Sequence, residues 1–347
     1  MTSASPYVPD NPRILIVRLS AIGDTVHSLP LAAALRRNYP GSHIGWVVER
    51  PSASLIERNP LMNWVKVLPK GWLKSLSQVA ALRRELRAER FDIAFDIQGL
   101  TKSAVAARLS GAPVRIGFTR GEGRELAPLL DNVLVPPRGR HAVDMTLSLL
   151  AGLKLPPPLK PEFMFPRPSE DDLTAIDVSL RDGVYAPGYI LMGPWGSFAS
   201  KLWPLERFLE LAVRFYRETG LPSVMLGHGD GERGQAAALA AKAEEALKLA
   251  PDVSLPGVAE LARRARLFVG CDSFPMHAAA AVGAPTLGLF GITDPQRLGP
   301  YGANGKVVFH DITLVKSTRE RRHLSPDNML ALTVETVLRA ALEMVRG

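Results

Sequence analysis

The sequence predicts an α/β protein of two doubly wound, Rossmann-like domains, and three observations carry that prediction. Short apolar runs rich in Val, Ile, Leu and Phe alternate with helical stretches through most of the 347 residues, as parallel strands joined by crossover helices do. That length fits about two domains of ~100–200 residues, each large enough for its own core. Between the halves lies a proline-dense stretch, residues 155–168, with Pro at 156, 157, 158, 161, 166 and 168. Proline continues neither a helix nor a central strand, so this stretch reads as a linker. The expected division is residues 1–165, residues 166–324, and a last helix over 325–347.

In the first half the apolar runs place strands at 13–19, 43–48, 65–68, 93–97, 114–117 and 132–135. Helical periodicity places helices at 25–38, 76–90 and 102–109 between them. The second half repeats the alternation, with strands at 189–192, 223–226, 267–269, 286–290 and 306–309. Its helices fall at 204–219, 232–249, 258–265 and 275–282. The chain should close in a helix with Ser325 as N-cap, Pro326 in its first position and an apolar stripe from Met329 to Val345. Two such domains facing each other across a central cleft would take a ligand at the carboxyl ends of both strand sets.

Composition narrows the function. The net charge of +8 is unevenly spread: residues 1–165 hold 22 Lys and Arg against 13 Asp and Glu, and residues 166–347 hold 20 against 21. A basic half beside a near-neutral half implies an anionic partner for one domain. The basic half lacks an RNP-like aromatic motif and a recognition helix, which argues against nucleic acid. Cys271 is the only cysteine, so no intrachain disulfide framework and no cysteine zinc cluster is available. Residues 1–12 have Pro and Asp where a leader needs a basic patch and an apolar core. No apolar stretch reaches the ~18 residues of a membrane span, so the expectation is a soluble, cytoplasmic protein; a monomer is expected.

Four strand-to-helix turns carry the candidate chemistry. Ser20-Ala21-Ile22-Gly23-Asp24 follows the first strand and exposes amides at a helix N-terminus, which suits an anion. It lacks the further glycines of a dinucleotide fingerprint and the Gly-Lys of a P-loop. Asp24 reads either as a helix cap or as a carboxylate base able to take a proton from a hydroxyl. The loop 193–204 is rich in Gly, Ser and aromatics and holds Ser200 and Lys201 just before a helix starting at Pro204; a lysine there favours a phosphate group. In Gly227-His228-Gly229-Asp230-Gly231-Glu232 the glycines allow close backbone approach and Glu232 is placed to bond a ribose hydroxyl, although tight-turn chemistry explains the run equally well. Asp272-Ser273-Phe274-Pro275-Met276-His277 opens an alanine-rich helix with Asp272 and Ser273 in capping positions, while His277 reads as a ligand contact or a core histidine.

In order along the chain, R-L-S-A-I-G-D-T-V-H-S-L-P (18–30), D-I-Q-G-L-T-K-S (96–103), S-K-L-W-P (200–204), D-S-F-P-M-H-A-A-A-A (272–281) and L-F-G-I-T-D-P…G-P-Y-G (289–302) resemble the motifs of glycosyltransferase family 9, the heptosyltransferases of lipopolysaccharide core assembly. The resemblance runs from about residue 13 to the end, and its middle section is closer to heptosyltransferase I than to heptosyltransferase II. It implies a GT-B fold whose last helix packs back on the first domain. The implied reaction is an inverting, metal-independent transfer of heptose from ADP-heptose to a Kdo-bearing lipid A acceptor, with no cofactor. Asp24 falls on the family's proposed general base and Lys201 on its donor-contacting lysine. Asp272, Ser273 and His277 fall on the donor motif, Glu232 on the acidic residue near the ribose, and Arg124 on a basic residue assigned to the acceptor. Where the family has Gly after the Asp-Ser/Thr pair, this chain has Phe274, a benzyl group beside the expected diphosphate.

No DxD motif is present, so fixed positive charge must meet the leaving diphosphate. Lys66, Lys70, Lys74, Arg120 and Arg124, with Ser20 and Gly23 at the first turn, are the residues expected to hold a phosphorylated lipid at the inner face of the cytoplasmic membrane. A family member using another nucleotide sugar, and a non-catalytic binding protein on the same scaffold, are the competing readings.

Overall fold

The structure, a computed structural model, describes residues 8–181, 188–310 and 324–346. The first seven residues, part of the stretch read as lacking a leader, lie outside the described residues. The chain divides into two compact units, Met1–Arg167 and Pro168–Gly347.

The first unit holds six parallel strands: β1 (Arg13–Val17), β2 (His43–Glu49), β3 (Trp64–Leu68), β4 (Ile93–Asp96), β5 (Val114–Phe118) and β6 (Val133–Val135). Their order is β3-β2-β1-β4-β5-β6. The chain winds outward one way from β1 and then returns to wind outward the other way, so the switch lies between β1 and β4. Loops leaving those two strands diverge and leave a crevice at their carboxyl ends. β1 and β4 are apolar because both faces are covered: Ile14 to Val17 and Ile93 to Phe95 are fully buried. The first unit's helices include α1 (Ile22–Asn38), α2 (Leu76–Ala88), α3 (Thr101–Leu109), α4 (Ala127–Leu130) and α5 (Ala142–Leu147), with α3 packed against both β1 and β4. α1 is buried from Thr25 to Leu35, which makes it a core helix rather than an amphipathic cover.

The second unit repeats the plan with β7 (Ile190–Gly193), β8 (Ser223–Met225), β9 (Leu247–Leu249), β10 (Leu267–Cys271), β11 (Thr286–Phe290) and β12 (Gly305–Phe309). The order β12-β11-β10-β7-β8-β9 puts its switch between β7 and β10. Its helices include α6 (Glu170–Leu180), α7 (Leu205–Thr219), α8 (Gly229–Ala240), α9 (Leu255–Arg264), α10 (Phe274–Ala281) and α11 (Pro295–Leu298). On α7 the buried Phe208, Leu211, Ala212 and Phe215 follow the i, i+3, i+4, i+7 spacing of one helix face. Gly220, at φ +70°, ends it in the left-handed conformation that glycine adopts without a Cβ clash.

Three sequence expectations change here. The helix expected over 232–249 stops at Ala240, and Leu247–Leu249 is a strand paired with β8. The alanine-rich run favours helix locally, but burying Leu247 against the sheet edge outweighs that preference. α6 was not expected, although Ser169 and Asp172 cap it reciprocally: Ser169 Oγ accepts from Asp172 N–H at 3.1 Å and Asp172 Oδ2 accepts from Ser169 N–H at 3.3 Å. The last helix is two pieces, Asp327–Leu330 and Val334–Arg346, with Pro326 rather than Ser325 at the first cap. Thr333 Oγ1 accepts from Thr336 N–H at 3.2 Å and restarts the helix. Within the second unit, Val334, Val337, Leu338 and Ala341 of this segment join the core with Trp203, Phe208 and Leu211. The indole of Trp203 donates to the Leu332 carbonyl at 2.8 Å, tying the terminal segment to the start of α7.

Candidate active site

At the first unit's switch the turn after β1 meets the turn after β4. Asp24 is the third residue of α1, not its N-cap, which is Ala21. Its Oδ2 accepts from Ala21 N–H at 3.3 Å and pairs with the Arg18 guanidinium at 2.6 Å, with 39% of the side chain exposed. Alanine offers no capping oxygen, so the Asp24 carboxylate covers part of the bare helix end. Arg18 also donates to the Ile97 carbonyl at 2.9 Å, joining the two turns. Gln98 accepts from Leu19 N–H at 2.9 Å and donates to Ser20 Oγ at 3.4 Å. Lys102 reaches Ser20 Oγ at 3.3 Å and pairs with Glu49 at 2.8 Å. Gly23 sits in the first turn of α1 beside this cluster.

The remaining acceptor candidates lie on the same carboxyl edge of the sheet. Arg124 N–H donates to the Gly99 carbonyl at 2.8 Å, and Glu125 accepts from Thr101 N–H at 3.0 Å, so residues 124–126 are fastened to the turn that carries Gln98. The Arg124 and Arg120 side chains are exposed, as are Lys70 and Lys74, which follow β3 around a 3-10 turn at Trp72–Lys74. Lys66 differs from the expectation, because Glu85 pairs with it at 2.6 Å and takes up its charge.

At the second unit's switch the turns after β7 and β10 meet around Asp272, whose side chain is 3% exposed. Lys201 Nζ lies 2.5 Å from Asp272 Oδ2, Thr293 Oγ1 donates to the same oxygen at 2.8 Å, and His277 Nε2 lies 3.3 Å from Oδ1. Burial alone would raise the Asp272 pKa. The Lys201 charge and the His277 contacts outweigh it and hold the carboxyl below the usual carboxylate range. Asp272 is therefore a buried anion held among three partners, Lys201, Thr293 and His277, rather than a surface cap. Ser273 is the N-cap of α10, but its hydroxyl makes no capping bond and has no partner. Pro275 has no N–H, and Met276 and His277 donate to the Ser273 carbonyl at 3.2 and 3.4 Å. The N–H groups of Ser273 and Phe274 are left at the helix start. Phe274 is partly exposed and is the first helical residue, so the benzyl group does not displace the helix start.

Ser200 is buried on the 3-10 turn Ala199–Lys201. Glu232 lies in the first turn of α8 and accepts from His228 N–H at 2.9 Å, so part of its capacity closes its own turn. Cys271 is fully buried, and burial pushes its thiol up to about 12, which makes it inert packing. Sequence reasoning gave no role to Arg18, Gln98, Lys102 and Thr293, which lie inside the quoted motifs, and missed Glu49 altogether. Replacing Thr293 by Val removes one of the donors to a buried carboxylate and is expected to cost about 1–3 kcal/mol in urea unfolding.

Comparison with known proteins identifies the family. The family model described as glycosyltransferase family 9 (heptosyltransferase) matches residues 79–326. Lipopolysaccharide heptosyltransferase 1 of Pseudomonas aeruginosa is 34% identical over 303 residues, covering 84% of this chain and 81% of that protein. A solved family 9 glycosyltransferase from Veillonella parvula superposes with a TM-score of 0.81 at 22% identity, covering 99% of both chains. E. coli heptosyltransferase WaaC with ADP-2-deoxy-2-fluoro heptose superposes at 0.74 and 26% identity, covering 95% of this chain and 99% of that one. The chain belongs to glycosyltransferase family 9, the heptosyltransferases, and is a glycosyltransferase of two doubly wound parallel-sheet domains.

Proposed function

We propose that this enzyme transfers heptose, with inversion and without a metal ion, from ADP-heptose to a Kdo-bearing lipid A acceptor in lipopolysaccharide core assembly. The observation that carries the reading is that, in a chain of this family, each unit holds a charged group at its own switch point: the Asp24 carboxylate beside Arg18 in the first and the Lys201 ammonium on the buried Asp272 in the second. The heptosyltransferase 1 relatives and a WaaC structure with an ADP-heptose analogue support the donor and the acceptor class.

Asp24 acts as the base. Arg18 and Ala21 N–H engage Oδ2 and hold the carboxylate in place, and Oδ1 takes the acceptor hydroxyl proton as that oxygen attacks the anomeric carbon. Ser20 and Gly23 border this position. The bond to the diphosphate breaks as the new one forms. Lys201 and the N–H groups of Ser273 and Phe274, with the unpartnered Ser273 hydroxyl, stabilise the departing charge. Asp272 holds Lys201 and His277 in position, the buried Ser200 precedes Lys201 on the same 3-10 turn, and Glu232 faces the ribose.

Lys70, Lys74, Arg120 and Arg124 meet the acceptor's phosphates and carboxylates at the cytoplasmic membrane face, where the enzyme works as a peripheral monomer. Among the described residues no helix is long and apolar enough to cross a membrane. The test is product detection with ADP-heptose and Kdo-bearing lipid A. Turnover with a different nucleotide sugar alone, or saturable donor binding with no transfer, overturns the donor or the catalytic assignment respectively. Replacing Lys70 and Lys74 together by Glu is expected to raise the acceptor KM about tenfold or more with kcat nearly unchanged, and an unchanged KM removes that loop from the acceptor site.

A further inference from the structure

We propose that Asp96 and Asp131 share one buried proton, and that this acid pair positions the turn 97–102, which carries Gln98 and Lys102 beside Ser20. Its consequence for turnover rests on the acceptor reading above; the pair itself rests on its own geometry. Asp96 ends β4 and is fully buried. In the β4–β5 ladder Phe95 pairs with Ile116, so the next rung sets Asp96 beside Gly117, with side-chain positions on one face about 5 Å apart. A Cβ on Gly117 would lie 2.1 Å from Asp131 Oδ2. The glycine thus leaves the space that the Asp131 carboxylate fills, and delivers it to the flank of Asp96.

Hydrogen bonding shows what is missing. Asp96 Oδ1 accepts from Gln98 N–H at 3.1 Å and from Gly99 N–H at 3.0 Å. Asp96 Oδ2 and both Asp131 oxygens are buried without a hydrogen-bond donor. Buried acceptors this close, carrying like charge, are costly unless one of the acids stays protonated, which supplies the absent donor and removes one of the two charges. The cations nearby act on the pair through charge and not through a hydrogen bond to the bare oxygens: Arg18 engages Asp24 and the Ile97 carbonyl and leaves its Nε without a partner, and Arg115 donates to the Leu130 and Ala112 carbonyls at 2.9 Å each. Burial raises both acids. The Asp96 charge raises Asp131 further against Arg115, while Ser103, the Gly99 and Gln98 N–H groups and Arg18 pull Asp96 down. Asp131 therefore keeps the proton and Asp96 keeps the charge that its turn needs. Through Gln98 and Lys102 the pair reaches Ser20, so Asp96 and Asp131 are positioning residues.

An acid raised on folding binds more protons folded than unfolded, so its stabilisation is full at low pH and is lost as pH rises toward about 8. Asp131→Asn keeps a donor toward Asp96 and removes the titration. Thermal melts between about pH 6 and pH 9 are expected to show the parent losing several degrees and Asp131→Asn losing much less. The parent's acceptor kcat/KM is expected to fall on the same alkaline limb with the donor KM flat, and the variant to lack that limb. Parallel melting profiles for the two proteins overturn the proposal, whatever the acceptor proves to be. If the variant does not fold, infrared spectroscopy of the parent decides: a buried carboxylic-acid stretch at pH 7 that disappears on raising the pH supports the pair, and its absence overturns it.

Discussion

Replacing Asp24 by Asn is expected to lower kcat by about 10²–10⁴-fold, the range a positioned base contributes, and to leave donor affinity nearly unchanged. The substitution is chemically narrow. An amide oxygen still accepts from Ala21 N–H, so the first turn of α1 keeps its cover. What disappears is the ability to take a proton, together with the Arg18 pairing. That pair is more than a third exposed on the Asp24 side, so its loss is expected to cost no more than about 1 kcal/mol. The two readings of Asp24 therefore separate cleanly. A residue that merely caps the helix predicts a small change in melting temperature and normal turnover. A base predicts a folded protein that binds donor and barely turns over. Near-parent turnover in a variant with a parent-like melt sinks the base assignment.

How much of this was legible in the sequence follows from how local each signal is. Asp24, Lys201 and Asp272-Ser273 sit at strand-to-helix turns, where the switch from apolar strand to helical period and the Gly and Pro chemistry are readable in a few residues. Arg18, Glu49, Gln98 and Lys102 were not readable, because they converge only when the chain returns from β3 to place β4 beside β1. No spacing in the sequence encodes that return. β9 was missed because three residues of Leu-Lys-Leu at the end of an alanine-rich run have weaker local preference than the pairing with β8 supplies. Asp131 was missed for the opposite reason: a carboxylate beside Asn132 ahead of a strand reads as solvated surface, and only the Gly117 register puts it inside. The basic excess of the first half was visible as a sum, but a sum does not say which cations carry it: Lys66 and Lys102 are paired with Glu85 and Glu49, so the excess lies on other residues.

Lys201→Ala is expected to produce the other large effect, and it acts through two channels that can be separated. The first is chemical: removing a fixed cation from the leaving diphosphate is expected to cost about 10²–10³-fold in kcat, with weaker donor binding. The second is structural, because the substitution strands Asp272. With its lysine gone, that buried carboxylate keeps Thr293 and His277 but loses its nearest positive charge, a change of the kind that costs about 3–5 kcal/mol. In the parent, the depressed Asp272 contributes stability that is complete above about pH 4 and is lost only as pH falls below that. Without Lys201, burial has less to oppose it, and the acid-side loss should begin at higher pH. Adding Asp272→Asn to Lys201→Ala removes the stranded charge, so the double variant is expected to recover much of the stability and none of the turnover. Urea unfolding and initial-rate kinetics on the same two proteins make the comparison. Recovery of turnover along with stability would mean that Lys201 only supports the fold around Asp272, and that the diphosphate is met by the α10 helix start without it.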